Sequence, residues 1–279
     1  GQIGISGENV LVGANGVVDA SGGSNGGSVN ISASEDATIL GKVRAVGNGG
    51  DGGCISIDGT NVLIGPTAEV DASGATNGGN ITFQANEDLE VLGAVRATGG
   101  TINVDAGSSA NVQGTLRANG SDGAGGEINV TGPDVILGPQ ARVEANGTSG
   151  GGLIQIGGGV GGRNDALQNA QNVTVEGGAL ITANSTASGN GGLVALWADQ
   201  VMDFDGTIEA QGAGEVGNGG FVEVSGRQQL MVGGGVNTAG SGSGENGTVL
   251  LDPIDIELGN AGITAASVTA ALANGNVVI

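Results

Sequence analysis

Arginine and carboxylate side chains recur at one place in this chain, between an apolar residue and a small one. In chain order, the residues at this place are Asp19, Arg44, Asp71, Arg96, Arg117, Glu144, Thr182, Glu209 and Asn237. Carboxylates beside each other or beside a cation can carry the acid–base cleavage of a polysaccharide. The near alternation of sign also fits an outward row of ion pairs between neighbouring strands. We favour the row of ion pairs, so the sequence predicts a protein that is not an enzyme and has no catalytic residue.

Most other side chains that do chemistry are missing. The chain has no His and one Cys among 279 residues. This composition excludes Ser-His-Asp and Cys-His catalysis, imidazole metal sites, thiolate zinc sites and internal disulfides. No spacing of acidic residues matches a known calcium loop, although calcium binding by the acidic surface stays open. We therefore predict no cofactor and no metal site.

Two single residues have alternative roles. Cys54 lies at an outward position after Gly53, where a thiol is either reactive, a bridge to another molecule or an inert small residue; we expect the last. Trp197 is expected to face outward or to sit at a corner. There it either anchors a partner or a sugar, or packs against its own chain.

The composition of the chain excludes further classes of protein. The net charge is −21, with 7 Lys and Arg against 28 Asp and Glu. Such a chain lacks the basic surface that nucleic-acid binding needs, so we predict no nucleic-acid partner. About a quarter of the residues are Val, Ile, Leu or Phe, which is too many for a disordered chain. No apolar stretch approaches the 18 residues of a membrane-spanning helix.

A repeat positions all of these residues. A Gly followed by alternating apolar residues recurs mostly every 26 residues, with one step of 21 and one of 40; it begins at Gly1, Gly27, Gly53, Gly79, Gly100, Gly126, Gly152, Gly192, Gly220 and Gly247. Period-2 alternation is typical of a strand with one buried face. Two more short strands follow in each unit. The usual Gly-Gly pair before the next unit is expected to supply positive φ and close backbone approach.

Three short strands in about 26 residues predict one coil of a right-handed parallel β-helix, an all-β fold of about ten coils. A propeller blade or a leucine-rich repeat needs another period or motif. One buried column is predicted to contain Ile31, Ile57, Phe83, Val104, Val130 and Ile156. On one outer face the charged residues above form ion pairs at coil spacing, with Lys42 and Glu69 beside them.

The repeat divides the chain into two parts. Residues 1–258 are predicted to form the β-helix, with a polar loop insertion near 157–171. Residues 259–279 are predicted to hold a short helix at 265–273 and the start of a following segment, with a strand beginning at 276–279. No signal peptide opens the chain, so we interpret it as a mature fragment of a longer protein.

The second half resembles the filamentous haemagglutinin family of two-partner secretion exoproteins. The resemblance rests on segments in a fixed order: 152–158, 169–175, 189–198, 205–210, 217–226 and 247–253. It covers roughly residues 150–258. Trp197, Glu223 and Asp252 match motif positions that carry no assigned chemistry. In that family a secretion domain lies N-terminal to such a region, and no clear match to it is evident in this chain.

The resemblance implies a secreted, extracellular protein at the surface of a Gram-negative bacterium. It implies an outer-membrane transporter as the partner during secretion, and a fibrous, commonly adhesive role. The expected function is therefore the β-helical shaft of an adhesin, whose receptor or glycan on a host or neighbouring cell is unknown. The alternative is a subunit of an extracellular filament or matrix, a homo-polymer built by end-to-end stacking. A polysaccharide-degrading enzyme is a more distant alternative.

Overall fold

The predicted parallel β-helix is confirmed. A computed structural model describes residues 1–254, 266, 268–269 and 273–279. These residues form 28 strands, numbered here in chain order, and one short 3-10 turn at Val160–Gly162. Strands in successive coils pair in parallel, one coil above the next. About ten coils at about 4.8 Å give a stack of roughly 43 Å between the first and last.

The strands build three faces. Face one contains β1 (Gln2–Gly7), β4 (Ser28–Ala33), β7 (Cys54–Gly59), β10 (Asn80–Ala85), β13 (Thr101–Ala106), β16 (Glu127–Thr131), β19 (Leu153–Ile156), β22 (Leu193–Phe204), β24 (Phe221–Gly226), β27 (Thr248–Leu251) and β28 (Asn276–Val278). Face two contains β2 (Val10–Val12), β5 (Asp36–Ile39), β8 (Asn61–Ile64), β11 (Asp88–Val91), β14 (Ser109–Val112), β17 (Asp134–Leu137), β20 (Ala170–Val175) and β25 (Gln229–Val232). The long strand β22 turns the corner and pairs with both β24 and β25, which joins these two faces into one sheet.

Face three is a separate sheet. It contains β3 (Val17–Asp19), β6 (Lys42–Arg44), β9 (Glu69–Asp71), β12 (Ala94–Arg96), β15 (Thr115–Arg117), β18 (Arg142–Glu144), β21 (Leu180–Thr182), β23 (Thr207–Glu209) and β26 (Gly235–Asn237). Each strand is three residues long, with its middle residue directed inward. Two of the three side chains therefore face outward, which is why this face carries the charged column.

The predicted inward column is confirmed. Ile31, Ile57, Phe83, Val104, Val130 and Ile156 are each at most 1% exposed and pair residue by residue in that order. The column continues through Leu196, Val224 and Leu251. A single coil has no interior of its own, so these contacts between coils form the core. Burial of apolar area in such columns is the main stabilising term of the fold.

The Gly-Gly pairs act mainly through close packing, so the expectation of positive φ was wrong for most of them. Of the eight pairs, Gly99 has a positive φ, at 66°, and the others lie outside that region. A Cβ added at Gly53 would collide with the carbonyl oxygen of Gly27 in the preceding coil. Gly is required at such turns because backbones of successive coils lie in direct contact there.

Asparagine side chains connect successive turns after face three. The Oδ1 atom of Asn119 accepts the backbone N–H of Asn146 at 2.8 Å, and Asn146 accepts the N–H of Asn184 at 2.7 Å. Asn184 in turn accepts the N–H of Gln211 at 2.7 Å. Each bond satisfies a backbone donor that the turn leaves outside the sheets. These bonds fix the height of each turn relative to the next.

The two irregular segments differ in how far they are described. The insertion occupies residues 157–169, between β19 and β20, and includes the 3-10 turn. The predicted helix at 265–273 lies largely outside the described residues. Within it, the described residues Ala266, Val268 and Thr269 have helical geometry. Strand β28 pairs with β27, its residue Val277 lying beside Val249.

Replacing Ile57 by Asp tests the register. The carboxylate would lie in the apolar column without a cation, so we expect a loss of several kcal/mol in the free energy of unfolding. Ser56→Asp, one residue earlier and directed outward, is the matched control and should change stability little. Thermal and urea denaturation measure both variants. Equal stability of wild type and Ile57→Asp would show that the strand faces are reversed.

Candidate functional site

The charged residues predicted to share one repeat position do lie in one column. The pairing of face three places Asp19 beside Arg44, Arg44 beside Asp71, and Asp71 beside Arg96. The column continues upward through Arg117, Glu144, Thr182, Glu209 and Asn237. Its side chains lie on the outer side of face three, where Thr182 is nevertheless buried, at 5% exposure.

The predicted ion pair between Lys42 and Glu69 is confirmed, but among the described residues Arg44 and Arg96 pair with Glu69 and not with the aspartates beside them in the column. Three cations converge on Glu69, whose carboxylate lies 2.8 Å from Lys42 Nζ, 3.4 Å from Arg44 Nη2 and 4.0 Å from Arg96 Nη1. Asp71 instead accepts the backbone N–H of Ser73 at 2.8 Å, as Asp19 accepts that of Ser21. Both aspartates are therefore held by local hydrogen bonds, although the charge of Arg44 also contributes to the lowered pKa of Asp19.

Electrostatics follow this arrangement. The pKa of Glu69 is held below its usual range, first by the bond from Lys42 and also by the charge of Arg44, although burial opposes the shift. The pKa of Asp19 is lowered mainly by the side chain and the N–H of Ser21. Higher in the column, Arg117 Nε donates to Glu144 at 2.7 Å. The carboxylates of Glu69 and Asp19 are thus held in their charged form, whereas a general acid needs a raised pKa.

Asp203 on β22 shows the opposite shift. Burial raises the pKa of this carboxyl, and the neighbouring charge of Asp205 adds to the effect. Asp203 lies on the outer side of the second half of β22, and Asp205 is exposed directly after the strand ends. Nothing in the sequence around Asp203 distinguishes it from the other acidic residues of the outward strand positions.

The insertion covers the outer side of face one. Its turn lies on Trp197 of β22: Gly162 has a φ of +62°, and a Cβ there would collide with the indole ring. The indole Nε1 donates to Asp199 at 3.0 Å. Trp197 thus faces outward as expected and is half-buried against its own chain. This packing is the second of the two roles that the sequence left open for Trp197.

Glu223 anchors the same turn. This residue is fully buried although its position on β24 is an outward one. Its carboxylate accepts the backbone N–H of Gly161 at 2.9 Å and the hydroxyl of Ser225 at 2.8 Å. Ala195 and Leu250 flank it on the neighbouring strands. A buried carboxylate is tolerated where hydrogen-bond donors face it, so the insertion and Glu223 stabilise each other.

The other half of the insertion forms the wall of a groove. Ala166, Leu167 and Gln168 lie opposite the outer side of β10, β13 and β16, and the space between them has a volume of about 390 Å³. Polar side chains from these three strands line the floor: Thr82, Gln84, Asn103, Asp105, Asn129 and Thr131. We name this space the insertion groove.

Sequence reasoning missed this covered surface, yet a signal was present. In coils two to six the outward positions of face one are mostly polar, whereas β22 places Leu193, Ala195 and Trp197 there. Apolar residues on the outward side indicate that something covers them. The remaining residues that the sequence singled out are exposed: Cys54 is a free thiol at the start of β7, and Asp252 follows β27.

Two further properties bear on function. Among the described residues, no group of three or more His, Cys, Asp and Glu side chains is placed to hold a metal ion. In the same part of the chain no helix has the length and apolar character needed to cross a membrane.

Comparison with known proteins supports the fold. The crystal structure of the HMW1 secretion domain from Haemophilus influenzae is similar to this chain, with a TM-score of 0.52 and 19% identity over 90% of this chain and 80% of that one. No protein-family model and no curated protein sequence matches the chain. The structural likeness includes the first half of the chain, which the sequence resemblance does not cover.

Glu69→Gln tests the convergence of cations. We expect it to lower the free energy of unfolding by up to about 1 kcal/mol at low salt, and by less at high salt. Because the folded-state pKa of Glu69 is below the unfolded one, its stabilisation is present at neutral pH and is lost as the pH falls through about 4 and below. Asp71→Asn is the matched control and should cost less. Both variants are measured by denaturation at a series of pH values. An equal loss in the free energy of unfolding in the two variants would contradict the convergence of the three cations on Glu69.

Glu223→Ala tests how the insertion is held. The substitution leaves the Gly161 N–H and the Ser225 hydroxyl without their acceptor, so the insertion should open more often. Trypsin cleavage after the exposed Arg163 should then become several-fold faster. Glu209→Ala on face three is the control and should leave this rate unchanged. Cleavage after Arg163 at the wild-type rate in Glu223→Ala would exclude Glu223 as the anchor.

Proposed function

We propose that this chain forms the β-helical shaft of a secreted or cell-surface structural exoprotein, of the kind found in filamentous-haemagglutinin-like adhesins. Its role is to carry adhesive contacts away from the surface of a Gram-negative bacterium. The chain is proposed to have no enzymatic activity. Its partners are an outer-membrane transporter during secretion and a receptor or glycan on another cell.

The continuous inward column is the observation that carries this proposal. From Ile31 to Leu251 the same inward position is filled in every coil and is at most 2% exposed. Coils joined in this way form a stiff rod, because each one is held by both neighbours. A stiff rod of small-residue coils suits a structural role better than a catalytic one.

The secretion route is supported by two observations. The similar crystal structure is that of a secretion domain. A repeat fold can propagate coil by coil from any folded segment, which suits a chain that folds as it leaves the transporter.

The proposal is tested in the bacterium that encodes the protein. Deletion of the gene should reduce adherence to cells, and fractionation should recover the intact wild-type protein at the surface or in the medium. Complementation with Ser56→Asp should restore adherence, whereas Ile57→Asp, with its damaged column, should restore it poorly. Retention of the wild-type protein inside the cell would refute the proposed function. Electron microscopy of purified protein distinguishes single shafts from end-to-end polymers.

The absence of enzymatic activity is tested directly. Purified protein incubated with a broad panel of polysaccharides should release no new reducing ends, since Glu69 and Glu144 on face three are held in ion pairs with neighbouring cations. Reducing-end assays and mass spectrometry measure this. Release of fragments that disappears in Arg96→Ala, Arg117→Ala or Asp203→Asn would make the protein an enzyme.

A further inference from the structure

The insertion groove has the properties of a binding site that the shaft does not need. Its volume of about 390 Å³ lies within the range of sites for small ligands, about 300 to 1,000 Å³. A solenoid face without decoration is flat, and here the insertion converts part of that face into a walled space. The insertion itself is fixed on its other side by Trp197 and Glu223.

The floor of the groove is held rigid before any ligand arrives. Asn129 is 5% exposed; its Nδ2 donates to Asn103 at 3.0 Å and to Glu127 at 2.8 Å, and its Oδ1 accepts from Gln155 at 2.9 Å. Gln155 is tied to the insertion, since its Oε1 accepts from Asn164 at 3.4 Å. Such preorganisation lowers the entropy lost on binding.

Several polar groups on this rigid floor remain available. Asp105 Oδ1 accepts the hydroxyl of Thr131 at 2.8 Å, while Oδ2 makes no hydrogen bond within the described residues. In the same part of the chain the side chains of Thr82 and Gln84 form no hydrogen bond. Amides and hydroxyls both donate and accept, and the carboxylate accepts. These groups of the floor match a ligand whose own groups both donate and accept hydrogen bonds, as sugar hydroxyls do.

The charge and polarity of the groove limit the kinds of ligand that it can bind. None of the residues lining the groove is cationic, Asp105 and the nearby Glu127 are acidic, and the whole chain carries a net charge of −21. These charges oppose an anionic ligand. Leu167 and Ala166 supply the apolar part of the wall. This apolar surface is too small to cover an aromatic or lipid-like ligand, but it is sufficient to contact the C–H face of a sugar ring. A peptide added as a strand is excluded at the floor, because β13 is already paired on both sides.

We propose that the insertion groove binds a neutral, hydroxyl-rich saccharide, with Asp105 and Thr82 bonding its hydroxyls and Leu167 covering one ring face. The assignment deepens the proposed adhesive function, on which its biological meaning rests. It places the adhesive contact on the side of the stack, over coils four to six.

The experiment uses the full chain and follows its backbone and side-chain amide signals by NMR during titration. The neutral probes are maltotriose, cellotriose and chitotriose, added to millimolar concentration. Trigalacturonate is the anionic comparison, and a neutral tetrapeptide rich in Ser and Thr is the peptide comparison. The test variants are Asp105→Asn, Thr82→Val and Leu167→Gly. Asp58→Asn is the matched control, since Asp58 occupies the equivalent strand position outside the groove and likewise accepts a hydroxyl, from Ser32 at 2.6 Å.

At least one neutral trisaccharide should shift the signals of Thr82, Asn103 and Asp105. We expect its affinity to fall about tenfold or more in Asp105→Asn, because a hydrogen bond to a charged group is lost. Asp58→Asn should bind as wild type does. No shifts with all three neutral probes, equal losses in Asp58→Asn, or equal binding of trigalacturonate or the peptide would each overturn the proposal.

The experiments distinguish failure of saccharide binding in the groove from failure of the proposed shaft function. If the groove binds no saccharide but the protein still reaches the cell surface and supports adherence, the shaft proposal stands without this site. If the purified chain binds the saccharide and is nevertheless retained inside the cell, the site stands and the secretion proposal fails.

Discussion

Everything in this molecule depends on one constraint: a coil of about 26 small residues cannot bury its own apolar side chains. Its interior is completed by the coils above and below, so Ile57 is buried because Ile31 and Phe83 lie directly beside it. This requirement fixes the register of every strand, since a shift by one residue would turn the column outward. It also brings successive turns so close that Gly53 and the glycines stacked with it have no room for a Cβ.

Because stacking fixes the interior, only outward side chains are free to form ion pairs or binding surfaces. Face three and face one differ in which of these they carry. Face three carries an open network centred on Glu69, which contributes modestly to stability and is screened by salt. Face one carries the insertion, which covers Glu223 and part of Trp197 at one end and forms the wall of a polar groove over β10, β13 and β16 at the other. A regular rod thus gains one distinctive place where the chain departs from its repeat.

The fold was predictable because period and alternation are properties of the sequence itself, and the column from Ile31 to Ile156 followed from them. The position of each charged residue was predictable for the same reason. Two of the ion pairs also followed, Lys42 with Glu69 and Arg117 with Glu144. The pairing of Arg44 with Glu69 instead of Asp71 did not, because Asp71 forms a local hydrogen bond with Ser73. The course of the insertion was also beyond sequence reasoning, since it has no period. The outward Ala195 and Trp197 nevertheless indicated that something covers face one.

The register of the stack is the central claim, and methyl NOE spectroscopy on a sample labelled at Ile, Val and Phe tests it most directly. The account predicts a chain of contacts in which the methyl groups of Ile57 contact both Ile31 and the Phe83 ring, and Phe83 contacts Val104. These methyl groups should show no NOE to water. Contacts from Ile57 to water or to outward side chains such as Thr82, without one to Phe83, would contradict the stacking on which the whole description rests.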